Sequence, residues 1–326
     1  MRPSSVTTET ALIGWQGLTL TVPSDWNISV IGGDRQAGYL RIDSVTMPRV
    51  EIKWQQAGKA GVNLERTLEK FLKGFTKEMS KRKKPIEIRR PVKVVSKRQK
   101  RKTDILGFAW QSDHQGCGVL WHCPDCDRIV IAQVLGTLEE DVQQLASKVL
   151  SSLEDHGQQE WDTWSVYGLA FQMPQAFLLE KHKLLTGQLE LEFTRKKPGL
   201  SIANVTQRII VARWAMADTL LKEGTFEEWM NYSLRQRHGK EYRFTLQEST
   251  TIKGHPALIY EGRIKPITWR IKDASVRFIL RRPRPLFRVL AWHCAPSNKI
   301  FATHFFLPRH QARLVTEVTD SVECHE

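Results

Sequence analysis

The chain has 326 residues, of which 41% are apolar and 26% are charged. These proportions are typical of globular proteins and exclude a wholly disordered, collagen-like or coiled-coil chain, and the length predicts two domains. The charge is unusual, because 49 Lys and Arg residues outnumber 35 Asp and Glu residues and give a net charge of +14.

The cysteines and the opening residues indicate the compartment. Five cysteines, an odd number in a chain of this length, do not suggest a disulfide framework. Residues 1–10 lack the apolar stretch of a secretory signal, and no run approaches the roughly 18 apolar residues of a membrane span. We therefore expect a cytoplasmic protein with reduced thiols.

The chain contains an internal repeat, which begins with residues 17–26 (GLTLTVPSDW) and 168–177 (GLAFQMPQAF). Both segments alternate apolar and polar residues, as strands with one buried face do, and both stop at a proline, which cannot donate to a sheet ladder. Further matches follow in the same order: 38–42 with 187–191, 50–54 with 210–214, 120–123 with 291–294 and 145–156 with 314–325. The repeat predicts two homologous domains, residues 1–156 and 163–326.

A helix is predicted in the middle of each repeat and another at its end. In the first repeat, an apolar stripe over residues 64–75 follows Asn63, which suits an N-cap. In the second, Thr225 and Glu228 have capping-box spacing, and Gly239 can end the helix. The predicted fold class is therefore α+β, with a central and a C-terminal helix packed on an antiparallel sheet in each domain.

This order of elements, with the opening strands 17–26 and 168–177, resembles the fold family of the PsbP extrinsic subunit of photosystem II and a Ran-binding nuclear-import factor. The resemblance spans most of each repeat. It implies a non-catalytic role, since members of that family act mostly as accessory or binding subunits. It assigns no binding residue to this sequence.

Two segments hold the excess of positive charge. Residues 77–103 contain 13 Lys and Arg against two acids, and residues 263–288 contain nine against one. Apolar residues alternate within the second segment, which predicts a projecting basic hairpin, and aromatic residues such as Trp269 lie between its charges.

Clustered cations favour a polyanion-binding surface, since they attract phosphates and release counterions on binding. The partner would be a nucleic acid or an acidic protein, and an anionic membrane surface satisfies the same physics. Edge strands protected by solvated lysines are the alternative interpretation. The candidate contacts, with Trp269 as a stacking platform, are Lys81, Arg82, Lys83, Lys84, Arg89, Arg90, Lys97, Arg98, Lys100, Arg101, Lys102, Trp269, Arg270, Lys272, Arg277, Arg281, Arg282 and Arg284.

Cys123 and Cys126 have a spacing found in zinc sites, but two thiols make only half of a site. Cys117 shares a predicted strand with Cys123 and would lie about 20 Å away. The second repeat keeps Cys294 but has Ser297 in place of the second thiol. A complete site would need Cys294, Cys324 or a histidine from elsewhere in the chain. No metal site is therefore predicted, and burial in the core explains these cysteines as well.

No enzyme motif is present: the sequence has no HExxH, GxSxG or phosphate-binding glycine loop. Paired acids stand at predicted helix starts, where the helix dipole favours them. We expect a non-enzymatic binding or adaptor protein without a cofactor or small-molecule substrate. The alternatives are an accessory subunit of a larger assembly and an enzyme with its site between the two domains.

Overall fold

The computed structural model describes residues 9–58, 61–95, 104–157, 160–195, 207–265 and 286–325. The chain divides into two compact units, Met1–Gly168 and Leu169–Glu326. The predicted domain boundaries at 1–156 and 163–326 stay a prediction. The predicted basic hairpin falls within residues 266–285, outside the described part of the chain.

The first unit contains ten strands and two helices in its described residues. The strands are β1 Thr10–Trp15, β2 Leu18–Pro23, β3 Asn27–Gly33, β4 Ala37–Asp43, β5 Pro48–Gln56, β6 Glu87–Arg89, β7 Ile105–Gln111, β8 Gln115–Cys123, β9 Arg128–Gly136 and β10 Trp161–Val166; the helices are α1 Leu64–Lys81 and α2 Val142–Leu150. An antiparallel sheet has the strand order β3-β4-β5-β9-β8-β7-β6. Strand β1 pairs with both β2 and β10 in a smaller antiparallel sheet.

The second unit repeats this arrangement of strands. The elements are β11 Leu169–Pro174, β12 Leu178–Leu185, β13 Gln188–Arg195, β14 Gln207–Ala215, α3 Ala217–Leu220, α4 Phe226–His238, β15 Tyr242–Ile252, β16 His255–Ile264, β17 Leu286–Cys294, β18 Lys299–Leu307 and α5 Arg313–Ser321. The antiparallel sheet has the order β12-β13-β14-β18-β17-β16-β15. Strand for strand, this is the order of the sheet in the first unit.

The predicted α+β class is wrong, because the protein is mainly antiparallel sheet. Strands take up 51% of the described residues and helices 20%, and the strands form three sheets. The sequence pattern missed strands that bury little surface. Strand β12 buries none of its residues fully, and the edge strand β6 has three residues, so neither shows the alternation that marks a half-buried strand.

The predicted caps of the two central helices are confirmed. The Asn63 side chain accepts a hydrogen bond of 2.8 Å from the Arg66 backbone N–H at the start of α1. At the start of α4, the Thr225 hydroxyl accepts from the Glu228 N–H, and the Glu228 carboxylate accepts from the Thr225 N–H. Both caps satisfy amides that the first helical turn leaves unpaired.

Helix α1 packs on one face of the first seven-stranded sheet, above Phe108, Trp110 and Leu120. Two glycines of β8 make this packing possible. A Cβ atom on Gly118 would lie 2.5 Å from the Phe108 ring, and one on Gly116 would lie 2.5 Å from the Trp110 ring. The aromatic rings therefore occupy the space that side chains on β8 would need, and α1 rests on those rings.

Two buried histidines of the second unit meet where the last residue of α4, His238, contacts His304 of strand β18. His238 Nε2 lies 3.1 Å from His304 Nδ1, and His304 is 1% exposed. Burial lowers the pKa of His238 to about 3, with the nearby cations Arg237 and Arg208 acting in the same direction. Burial likewise holds the pKa of His304 well below its usual value. Both imidazoles are therefore neutral in the folded protein at neutral pH.

We expect the second unit to lose stability as the pH falls below about 6.5, the usual pKa of histidine. The unfolded chain then binds protons that the folded chain does not, so the free energy of unfolding falls by roughly 1 kcal/mol per pH unit for each histidine. Thermal unfolding between pH 7.5 and pH 5 measures this. His304→Gln should flatten the dependence, whereas the exposed-site variant His310→Gln should leave it unchanged; equal slopes for all three proteins would contradict the assignment.

Candidate polyanion surface and metal-ligand clusters

Helix α1 and strand β6 carry a large share of the positive charge. Residues 64–95 contain eleven Lys and Arg against four acids, a net charge of +7 out of +14 for the chain. The buried stripe of α1, which includes Leu68 and Leu72, faces the sheet, so the lysines of the helix face outward. We call the exposed face of residues 64–95 the α1–β6 surface.

A shallow groove of about 450 Å³ lies on this surface. Its lining combines cationic, hydroxyl and apolar side chains with a single acid: Lys73, Lys77, Arg90, Thr76, Ser80, Leu72, Ile88 and Glu69. Glu69 pairs with Arg90 at 3.3 Å, whereas Lys73 and Lys77 pair with no acid among the described residues. The groove therefore offers two ammonium groups without a described acidic partner beside the Ser80 hydroxyl, since the Thr76 hydroxyl already donates to the Leu72 carbonyl at 2.9 Å.

Six of the predicted polyanion contacts lie on or beside the α1–β6 surface, and all six are exposed: Lys81, Arg82, Lys83, Lys84, Arg89 and Arg90. Three of them are partly neutralised by ion pairs, which join Arg82 to Glu78, Lys84 to Asp113, and Arg90 to Glu65 and Glu69. The remaining three, Lys81, Lys83 and Arg89, have no acidic partner in the described part of the chain.

The other twelve predicted contacts lie outside the described residues. They are Lys97, Arg98, Lys100, Arg101, Lys102, Trp269, Arg270, Lys272, Arg277, Arg281, Arg282 and Arg284. Sequence reasoning also missed Lys73 of the groove, and it included Lys77 in the basic segment 77–103 without choosing it as a contact. The spacing of Lys70, Lys73, Lys77 and Lys81 on one predicted helix is the signal that could have found them.

Cys123 and Cys126 lie in a cluster of potential metal ligands in the first unit. The other members, Asp155 and His156, follow α2, and the four ligand atoms lie within 4.8 Å of one another. Cys123 Sγ is 3.6 Å from His156 Nδ1. Cys117 is not a member, as the strand geometry predicted. The partners escaped notice in the sequence because about 30 residues separate them from the cysteines.

The carboxylate of Asp155 is already engaged on both oxygens. Oδ2 accepts a 2.6 Å hydrogen bond from the Trp121 indole, and Oδ1 lies 2.9 Å from His156 Nδ1. The buried Arg128 guanidinium donates to the Asp155 backbone carbonyl at 3.1 Å. Burial, with the nearby Asp155 carboxylate, raises the pKa of Cys126 to about 12. These contacts favour a neutral thiol held in a closed hydrogen-bonded cluster.

The second unit holds a cluster of two cysteines and two histidines: His255, Cys294, Cys324 and His325. Cys294 occupies the same place in the repeat as Cys123, and His325 the same place as His156. The first three residues are buried and His325 is exposed. Burial and the adjacent Cys294 raise the pKa of Cys324, whereas the Trp292 side chain lowers it. No sequence motif predicted this cluster, because its members come from three separate segments.

No protein-family model matches this chain, and no curated protein matches it. Among solved structures, the chain is similar to the apo structure of the immunity protein TplEi of T6SS from Pseudomonas aeruginosa, at 11% identity, over 96% of each chain and with a TM-score of 0.29. A score this low does not establish a shared fold and says nothing about function. The resemblance to the PsbP family stays a prediction. No helix in the described ranges is long and apolar enough to cross a membrane.

Proposed function

We propose that this protein is a non-enzymatic binding protein that binds a polyanion through the α1–β6 surface. A nucleic acid is the partner that we favour. The observation that supports this function most directly is the groove, where Lys73 and Lys77 have no acidic partner among the described residues and lie beside the Ser80 hydroxyl. Ammonium groups attract phosphates over a distance, and hydroxyls donate hydrogen bonds to phosphate oxygens on contact.

Protection of the sheet edge does not account for the whole surface. Strand β6 is the edge of its sheet, and its own Arg89 and the preceding Lys84 are placed to discourage pairing with another chain. Lys73 and Lys77 lie on helix α1 instead, where no backbone edge needs protection. Their lack of acidic partners favours a ligand that supplies the negative charge.

A cytoplasmic location and the absence of catalysis belong to this proposal. The five cysteines are all free thiols, which suits a reducing compartment.

The test is retention of a short, labelled single-stranded oligonucleotide by the full chain on a filter, at about 50 mM salt, where phosphate contacts are strong. We expect retention, and polyglutamate at equal charge concentration should compete poorly, because it offers carboxylates on a flexible chain in place of phosphates. Absence of retention would refute the proposal. Efficient competition by polyglutamate would indicate that the partner is an acidic protein and not a nucleic acid.

A further inference from the structure

Three separated elements bring thiol and imidazole groups together at one end of the second unit. His255 begins strand β16, Cys294 ends β17, and Cys324 and His325 follow helix α5. His325 Nδ1 lies 3.3 Å from Cys294 Sγ, 3.2 Å from Cys324 Sγ and 3.3 Å from His255 Nε2. Four side chains from distant parts of the chain therefore point their donor atoms at one small volume.

These separations match those within a tetrahedral zinc site. Zinc binds sulfur at about 2.3 Å and nitrogen at about 2.0–2.1 Å, so tetrahedral angles place the donor atoms roughly 3.3–3.8 Å apart. The three contacts of His325 lie at or just below the lower end of that range. We propose that His255, Cys294, Cys324 and His325 form a binding site for one zinc ion.

The ligand set identifies both the metal and its role. Two thiolates with two imidazoles favour zinc over hard cations such as Mg²⁺ and Ca²⁺, which prefer oxygen. Four protein ligands leave no open position for water or substrate, which is typical of a structural site. The ion would fasten the segment after α5 to strands β16 and β17.

A buried group beside the cluster supports a metal-bound thiolate. The buried Trp292 indole lies beside the Cys324 sulfur, which is its hydrogen-bond acceptor in the fold. At the same place in the first unit, the Trp121 indole donates to the Asp155 carboxylate. A Cys324 thiolate is a better acceptor than a thiol, so metal binding would strengthen this contact, as the Asp155 carboxylate does for Trp121.

The first-unit cluster provides a matched comparison within the same chain. Its Asp155 carboxylate is occupied on both oxygens by Trp121 and His156, and the buried Arg128 guanidinium donates to the Asp155 backbone carbonyl. Those contacts would have to break before a cation could enter. The second-unit cluster has no carboxylate and requires only the loss of thiol protons.

The experiment measures zinc in the purified full chain by mass spectrometry after dialysis, and zinc affinity by competition with a chelator. His325→Ala removes an exposed ligand and should not disturb folding. We expect this variant and Cys294→Ser each to lose about one equivalent of zinc, with affinity falling at least about 100-fold. Cys126→Ser in the first unit should keep that equivalent. A strong chelator should lower the melting temperature of the second unit by roughly 5–10 °C and should not lower that of His325→Ala.

Three results would overturn the proposal. The first is a zinc content that His325→Ala leaves unchanged in a protein whose circular dichroism is that of the wild type. The second is loss of the metal from Cys126→Ser while His325→Ala keeps it. The third is a disulfide between Cys294 and Cys324 in freshly purified protein, since a disulfide leaves no thiolate for the metal.

Discussion

Reversing the charge of Lys73 and Lys77 together should weaken oligonucleotide binding by roughly 10–100-fold at about 50 mM salt. Both ammonium groups line the groove of the α1–β6 surface, and neither is held by an acid in the described ranges. Lys73→Glu with Lys77→Glu therefore removes two attractive contacts and adds two repulsive ones without breaking an ion pair seen in the fold.

The control is Lys148→Glu on helix α2. Lys148 is exposed and belongs to the same unit. Leu120 packs in the cluster beneath α1, so the next residue, Trp121, faces the other side of the sheet. Trp121 donates to Asp155 of the segment after α2, which places that segment on the sheet face opposite α1. This variant changes the net charge by −2, as Lys77→Glu alone does, so these two single variants are compared: Lys148→Glu should bind within about twofold of the wild type, whereas Lys77→Glu should bind clearly more weakly. Because phosphate contacts carry little sequence information, the loss in the double variant should be similar for oligonucleotides of different sequence. An equal loss in Lys77→Glu and Lys148→Glu would mean that net charge, and not the groove, controls binding.

Gly118→Ala should destabilise the first unit by roughly 2–4 kcal/mol. A Cβ atom there would lie 2.5 Å from the Phe108 ring and 2.6 Å from the Ala132 carbonyl oxygen, and the second contact is with backbone that cannot move aside cheaply. Relief of the clash would push Phe108 toward α1. We therefore expect oligonucleotide affinity to fall along with stability, since the groove depends on the position of that helix.

Gly74→Ala is the matched control, because nothing lies within 4 Å of a Cβ atom at Gly74. This glycine is inside α1, where alanine favours the helix by roughly 1 kcal/mol. Chemical denaturation measures both variants, and they should change the free energy of unfolding in opposite directions. A destabilised Gly74→Ala, or a Gly118→Ala protein as stable as the wild type, would contradict the packing described for α1.

Local signals in the sequence predicted local structure well. The stripe after Asn63 and the capping box at Thr225 specified two helices, because a cap and a period of 3.6 residues are readable without tertiary information. Strand β12 and the edge strand β6 escaped prediction, since a strand that buries little surface has no alternation to detect. The prediction therefore contained too few strands.

The candidate sites were predicted only in part, for a physical reason. A search for runs of charge along the sequence found Lys81 to Lys84 but missed Lys73. The charged groove residues near Lys73 are four positions away on the same helix or lie beside strand β6. The cysteine clusters depend on helices α2 and α5 returning the chain to the ends of β8 and β17. Cys123 contacts His156, which is 33 residues away in the sequence, and only tertiary packing determines such a contact.

The salt dependence of oligonucleotide binding tests the central claim most directly. The logarithm of the association constant should fall linearly with the logarithm of salt concentration, because each phosphate contact to a single strand releases about 0.7 of a counterion. The variant that carries Lys73→Glu and Lys77→Glu should give a slope shallower by about 1.4 or more. A wild-type affinity insensitive to salt, or the same slope for both proteins, would contradict a polyanion site on the α1–β6 surface.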